Sequence, residues 1–281
     1  MFNSKFLITA ESIAQYIENL RNNEHAEATI EKYEHDIRAF AHYLNDSEAT
    51  KQAAIEWRKE LQETHAATSV NAAISAVNGY FEFFDLGIKM KFLKIQKNTF
   101  IPKEKILTQK DYERLIHAAR AKNDERLVCI MQTLGSTGIR VSELKFITVE
   151  SVLDGKAEVT NKNKTRIVFI CNDLKNLLLG YAKKENITSG SIFITRNAKP
   201  LDRSNIWRKI KNLSEKANVE KSKLFTHNFR KMFAKSFYTK SKDIAKLADI
   251  LGHSNINTTR VYIMESGDEH LKIIESLKLV V

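Results

Sequence analysis

Apolar side chains recur every three to four residues through the first third of the chain. Ile13, Tyr16, Ile17 and Leu20 share one face of a helix that opens at Thr9 or Glu11 and runs to about Arg21. Ile30, Tyr33, Ile37, Phe40, Ala41 and Leu44 keep the same spacing and predict a second helix over 27–44. A third is expected over 50–63. A fourth, over 68–85, carries Val70, Ala73, Ile74, Val77, Tyr80, Phe81 and Phe84, with Gly87 as its stop. Four amphipathic helices with short joins predict a small bundle. The period is lost over 95–107, where lysines recur at short intervals around Pro102. It returns at 108–121, with Thr108 as N-cap and Asp111 completing a capping box. Further helices are expected at 124–137 and, briefly, from Arg140.

The pattern then changes to short β-branched runs. Segments at 151–154, 156–160 and 165–170 are separated by the turn signals Asp154-Gly155 and Asn161-Lys162-Asn163-Lys164, which predicts a three-stranded antiparallel sheet. Helices follow at 173–185, 202–217, 226–239, 243–251, 255–263 and 268–277, with a possible strand at 191–195. The expected protein is mostly α, in two domains. Residues 1–97 form a four-helix domain, 98–105 a basic linker, and 106–281 a mixed α/β domain with a small sheet.

Composition supports this and adds a partner. Two prolines and nine glycines in 281 residues are few, as suits a helical chain. Cys129 and Cys171 stand 42 residues apart outside any CxxC or Cys/His cluster, so neither zinc nor a disulfide framework is expected. No stretch approaches the roughly 18 to 20 apolar residues that span a bilayer. The first residues lack the pattern of a signal peptide. A cytoplasmic protein without membrane association is therefore expected. The net charge of +11 is unevenly placed: residues 1–97 hold 11 Lys+Arg against 14 Asp+Glu, and residues 98–281 hold 34 against 20. A basic excess confined to the C-terminal two thirds points to a polyanion, because each phosphate neutralised releases condensed counterions.

Four segments carry candidate chemistry: TGIRVSEL with Arg140, the NKNK turn with Lys162 and Lys164, HNFRK with His227 and Arg230, and LGHSNINTTRVY with His253 and Tyr262. Each alone has a plainer reading. Arg140 can pair with Glu143, His227 can cap its helix, and His253 can bind free helix carbonyls. Tyr262, between Val261 and Ile263, can be a core aromatic, and NKNK can be a solvated hairpin tip. Together they supply what an in-line attack on a phosphodiester needs. Two arginines and two histidines offer converging donors for the developing negative charge. His227 and Arg230 stand at i and i+3, on one helix face. A lysine on a hairpin tip can protonate a leaving oxygen, and a tyrosine hydroxyl can attack and remain covalently joined. No metal or cofactor is called for in such a scheme, and no carboxylate cluster suits magnesium.

The ordered set TGIRVSEL, hairpin lysine, HxxR, LGHS, and a tyrosine nine residues after that histidine resembles the tyrosine recombinase (phage integrase) family. The resemblance spans nearly the whole chain and is greatest to its Xer-like members and related integrases of mobile elements. It implies a SAM-like helical DNA-binding clamp followed by a catalytic domain. By the same resemblance, Arg140 and Arg230 grip the scissile phosphate, His227 adds a donor and manages the tyrosine proton, and His253 bonds the phosphate in the transition state. Tyr262 is the nucleophile, leaving a 3′-phosphotyrosyl bond and a free 5′-hydroxyl. Glu143 would orient an arginine or histidine.

The general acid is where the chain departs from the family, whose Xer-like members usually carry a glycine-lysine-glycine-asparagine-lysine turn. Here the turn lacks glycine and is a residue shorter; Lys162 is assigned, with Lys164 as the alternative. Lys94, Lys97, Lys103, Lys105 and Arg166 are expected to bind DNA. The implied partners are double-stranded DNA bearing a specific site and three further protomers, identical or paralogous, with the tail residues Ile263, Leu271, Ile273, Ile274, Leu277 and Leu279 docking on a neighbour or on their own domain. The competing functions are a catalytically silent DNA-binding accessory protein and a type IB topoisomerase.

Overall fold

The computed structural model describes residues 6–95, 105–161, 164–195, 197, 199, 201–263 and 267–278, and the chain divides into two compact units, 1–97 and 98–281.

Unit 1 holds four helices: α1 (Ala10–Asn22), α2 (Glu27–Leu44), α3 (Lys51–Thr64) and α4 (Ala67–Phe83). Thr9 and Ser12 form a full capping box on α1, and the Thr50 hydroxyl caps α3. The faces foreseen from the spacing are the buried ones, with Ile37, Phe40, Ile74, Val77, Tyr80 and Phe81 fully enclosed. α4 ends at Phe83 rather than 85, because Asp85 already turns left-handed at φ 49°. Two asparagines on α4, seven residues apart, then hold the departing chain. The Asn78 amide exchanges two hydrogen bonds with the Met90 backbone (2.8 and 2.9 Å), and Asn71 does the same at Leu93 (2.8 and 3.0 Å). An extended segment thus gains from side chains the backbone partners that a sheet would have supplied.

Unit 2 is built around α6 (Glu125–Thr137), which packs against α5 (Gln109–Arg120), α8 (Asn172–Lys184) and α11 (Thr226–Ser241). Strands β1 (Lys156–Asn161) and β2 (Lys164–Phe169) pair antiparallel, in a register closing at Asn161↔Lys164.

The expected third strand is instead the short helix α7 (Val149–Asp154). Thr148 and Ser151 form a capping box at its start, Gly155 closes it at φ 74°, and Val149 and Val152, three apart, are its buried pair. Capping chemistry at both ends outweighed β-branched composition. The sheet described is therefore two-stranded. Residues 191–195 form no continuous strand; Ser191 makes an isolated bridge to Thr148. The helix expected over 202–217 divides into α9 (Arg203–Lys211) and α10 (Ser214–Ala217).

The chain ends with α12 (Ile244–Leu251), α13 (Ile256–Arg260) and α14 (Gly267–Ser276). A small separate core joins Ala234, Leu247, Leu251 and Tyr262, with Ile263 packed against it. Leu271, Ile274 and Leu277 are each more than half exposed. The Ile273 side chain and Leu279 lie outside the described residues. Among the described residues, no helix is long and apolar enough to cross a membrane.

Candidate active site

Four helix ends and one hairpin assemble the site. α6 terminates on Gly138, left-handed at φ 63°, where a Cβ would lie 2.5 Å from the Phe233 ring. This tight stop places Arg140 at the start of a 3-10 turn (Val141–Phe146). The Arg140 amide donates to Glu143 Oε2 at 2.9 Å and its Nη1 to Oε1 at 2.8 Å. Glu143, 1% exposed, also receives Arg166 Nη2 from β2 at 2.9 Å. Burial alone would raise the Glu143 pKa. The Arg140 amide and the two guanidinium groups outweigh it and hold the carboxyl below its usual range.

α11 has no side-chain cap of its own. Asn228 anchors its first turn by donating to the carbonyls of Lys105 (3.2 Å) and Lys223 (2.8 Å). Arg230 is buried to 1% exposure, although it is a cation. Its Nη1 donates to Gly138 O at 2.5 Å, and its Nη2 to Leu251 O at 2.5 Å and to His253 Nε2 at 3.0 Å. Its Nε has no partner among the described residues. Burial and the charge of Arg140 push its pKa down to about 10, which leaves it a cation at neutral pH.

α12 ends on Gly252, left-handed at φ 67°, and the His253 amide returns to Ala248 O at 2.9 Å. The cap reading of His253 is thus true of its backbone, which frees the ring for other work. A Cβ on Gly252 would meet Arg166 Cδ at 2.5 Å. This glycine therefore serves both the helix stop and the passage of a side chain from the hairpin. The His253 Nδ1 lies 2.9 Å from Thr259 Oγ1.

Tyr262 follows α13, its amide donating to Thr259 O at 2.9 Å. Its ring lies 5.1 Å from that of His227 and 5.1 Å from that of His253, with the Arg230 guanidinium carbon 5.8 Å from its centroid. At 8% exposure it is also the core aromatic that its apolar neighbours suggested. Partial removal from water, together with Lys231, Arg230 and Arg140, pushes the His227 pKa down to about 4. Burial and the charges of Arg230, Arg140 and Arg166 do the same to His253, also to about 4. His227 is exposed, and solvent screening moderates the effect there. Both imidazoles are neutral at pH 7.

An open cleft of about 690 Å³ is lined by Arg140, Lys164, Arg166, Asp249 and His253, among others. Tyr262 lines a separate narrow cavity of about 30 Å³ with Lys105, Asn228 and Lys231. Lys164 stands exposed on the cleft wall, while Lys162 lies outside the described residues, as do Lys97 and Lys103. Lys94 and Lys105 are exposed. Arg166 is largely enclosed and committed to Glu143. The sequence reading passed over Asn228, Gly252 and Thr259. A polar Thr-Thr pair between His253 and Tyr262 was the one available signal. No group of three or more His, Cys, Asp or Glu side chains gathers among the described residues.

A helical chain in two units, the second gathering cations and neutral imidazoles around one tyrosine, defines a class that comparison with known proteins identifies. Residues 105–268 match the phage integrase family and residues 13–84 its N-terminal SAM-like domain, so the chain belongs to the phage integrase family of tyrosine recombinases. It is 26% identical over 257 residues to the tyrosine recombinase XerA of Pyrococcus furiosus, covering 86% of this chain and 87% of the relative. It is also 26% identical over 260 residues to XerD of Halalkalibacterium halodurans, covering 83% and 86%. Its fold resembles that of XerH solved after cleavage on a palindromic difH substrate (TM-score 0.74, 15% identity, 98% of this chain and 90% of that one). It also resembles a lambda integrase tetramer on a Holliday junction (TM-score 0.73, 16% identity, 92% and 78%).

Proposed function

We propose that this chain is a site-specific DNA recombinase that cuts and rejoins strands through a 3′-phosphotyrosyl intermediate. The observation that carries this reading is the convergence of Arg140, Arg230, His227 and His253 beside Tyr262. Arg230 and Arg140 take the non-bridging oxygens of the scissile phosphate. The Arg230 Nε, buried without a partner among the described residues, is a donor awaiting an acceptor, and an anion supplies one. His227, neutral at pH 7, accepts the Tyr262 proton as the oxygen attacks phosphorus. The phosphorus–O5′ bond breaks, and the leaving oxygen is protonated by Lys162, with Lys164 on the cleft wall as the alternative donor.

Residues 1–97 act as a DNA clamp, with the exposed Lys94 and the neighbouring Lys97 facing phosphate. The functional partner is double-stranded DNA with a specific site, and the assembly is a tetramer on two duplexes; lambda integrase has been solved as a tetramer bound to a Holliday junction. The exposed Leu271, Ile274 and Leu277 dock on a neighbouring protomer.

The test uses a library of nicked duplexes with a randomised core, from which a cleaved strand is lost and the adduct trapped. Wild-type protein should yield a denaturant-resistant protein–DNA adduct and Tyr262→Phe none; sequencing the trapped DNA then reads the site. A Tyr262→Phe protein that still forms the adduct overturns the assignment.

A further inference from the structure

The hydrogen bonds of His253 fix where its proton sits. An arginine can only donate, so Arg230 Nη2, 3.0 Å from His253 Nε2, requires a lone pair on that nitrogen. The neutral ring then carries its proton on Nδ1, which donates to Thr259 Oγ1 at 2.9 Å. In this state His253 has no donor to offer the cleft. Bonding the phosphate, the role that the family resemblance implies for His253, requires the opposite tautomer, with Nε2–H directed at a phosphate oxygen and a bare Nδ1. The group facing Nδ1 must then donate where it previously accepted. A carboxylate or carbonyl cannot, and a backbone amide can only donate. A hydroxyl does both. Thr259 is wholly buried, at 0% exposure, so water does not reach its oxygen to substitute.

We infer that Thr259 is a positioning residue that serves both tautomers of His253, accepting from Nδ1 while Arg230 occupies Nε2 and donating to Nδ1 once a phosphate takes the Arg230 donors. The ring keeps one proton throughout. Water in the cleft delivers a proton to Nε2 and removes the one from Nδ1 while the His253 side chain turns away from Thr259, and the buried hydroxyl reverses by rotation about its Cβ–Oγ1 bond. The same residue ties this change to the nucleophile, since the Thr259 carbonyl accepts from the Tyr262 amide. Left unpaired in either tautomer, Nδ1 would lose about one hydrogen bond's worth of stability, enough to bias the ring toward one tautomer.

The inference rests on the phosphodiester reading, and its test separates the two. Thr259→Val keeps the shape and removes the hydroxyl; Thr259→Ser keeps the hydroxyl. With the nicked duplex recovered above, Thr259→Val should cleave 10- to 100-fold more slowly, the range typical of residues that orient a catalytic group, with unchanged DNA affinity. Thr259→Ser should return to within about threefold of wild type, as a hydroxyl requirement demands. Nitrogen-15 NMR of histidine-labelled protein should show His253 protonated on Nδ1 without DNA. It should be protonated on Nε2 in the uncleaved complex of Tyr262→Phe. Wild-type cleavage by Thr259→Val, or one tautomer in both states, overturns the inference while leaving the recombinase reading intact. Failure of the wild-type adduct overturns that reading instead. If Thr259→Val does not fold, the Thr259→Ser rate and the two spectra still decide.

Discussion

The two units keep their shape by different means. Unit 1 closes on an almost entirely apolar core rich in aromatic rings, Tyr16, Phe40, Trp57, Tyr80 and Phe81, with Ser12 and Asp36 as its buried polar residues. Unit 2 buries Arg230, Glu143, Asp111, Asn228 and Thr259 alongside its aliphatic core. Burying a charge is tolerable only with good partners, and removing one partner strands the other. Unit 1 is therefore organised for shape. Unit 2 spends part of its stability on holding cations and neutral imidazoles in fixed positions, and that difference marks where the chemistry is.

The comparison can be pressed hardest at Glu143. Glu143→Ala strands Arg140 and Arg166 together and should cost about 3 kcal/mol, somewhat reduced by the partial exposure of Arg140. Hydrogen exchange should accelerate at amides of α6 and α11 and not at those of α2 and α4. Faster exchange spread equally through both units would break the contrast. In unit 1 the corresponding polar lever is the asparagine clamp. Asn78→Ala leaves the Met90 amide and carbonyl without partners and should cost about 1 to 2 kcal/mol. The loss should be read in exchange at residues 88–93 with the Tyr262 adduct still formed.

The most discriminating effect is that of pH. His227 and His253 have folded pKa values near 4 against an ordinary 6.5, so the unfolded chain takes up protons the folded chain refuses. Stability of unit 2 is therefore full above pH 6.5 and falls as the pH drops from there toward 4. Glu143, with its carboxyl held low, adds a further loss only below the usual carboxylate range. Each unit carries one of the two tryptophans, Trp57 and Trp207, so Trp57→Phe and Trp207→Phe proteins report the units separately by fluorescence. Trp207 should reveal an earlier acid transition, flattened in His253→Asn.

Much of this molecule was legible in the residues alone. The four helices of unit 1 followed from apolar spacing, because a helix buries one stripe and its period is local. The five residues Arg140, His227, Arg230, His253 and Tyr262 were legible as an ordered set whose chemistry only makes sense together. Residues 151–154 were misread as strand because β-branched composition was weighed above the Thr148–Ser151 box and Gly155, although all three were visible. Three of the plainer readings also hold: Arg140 does pair with Glu143, His253 does close a helix, and Tyr262 does pack in a core, whereas α11 carries no side-chain cap from His227.

What only the tertiary structure decided is which groups meet across long separations. Arg166 reaches Glu143 and crosses the bare face of Gly252; Arg230 takes the carbonyls of Gly138 and Leu251 and meets His253. Spacing along the chain encodes the faces of each element, since those depend on backbone geometry within a few residues. Hydrogen-bond partners 20 to 120 residues apart depend on how helix ends converge, and no local pattern carries that. The tyrosine, the arginines and the histidines were written in the sequence; the partners on the two ring nitrogens of His253 came only from the fold.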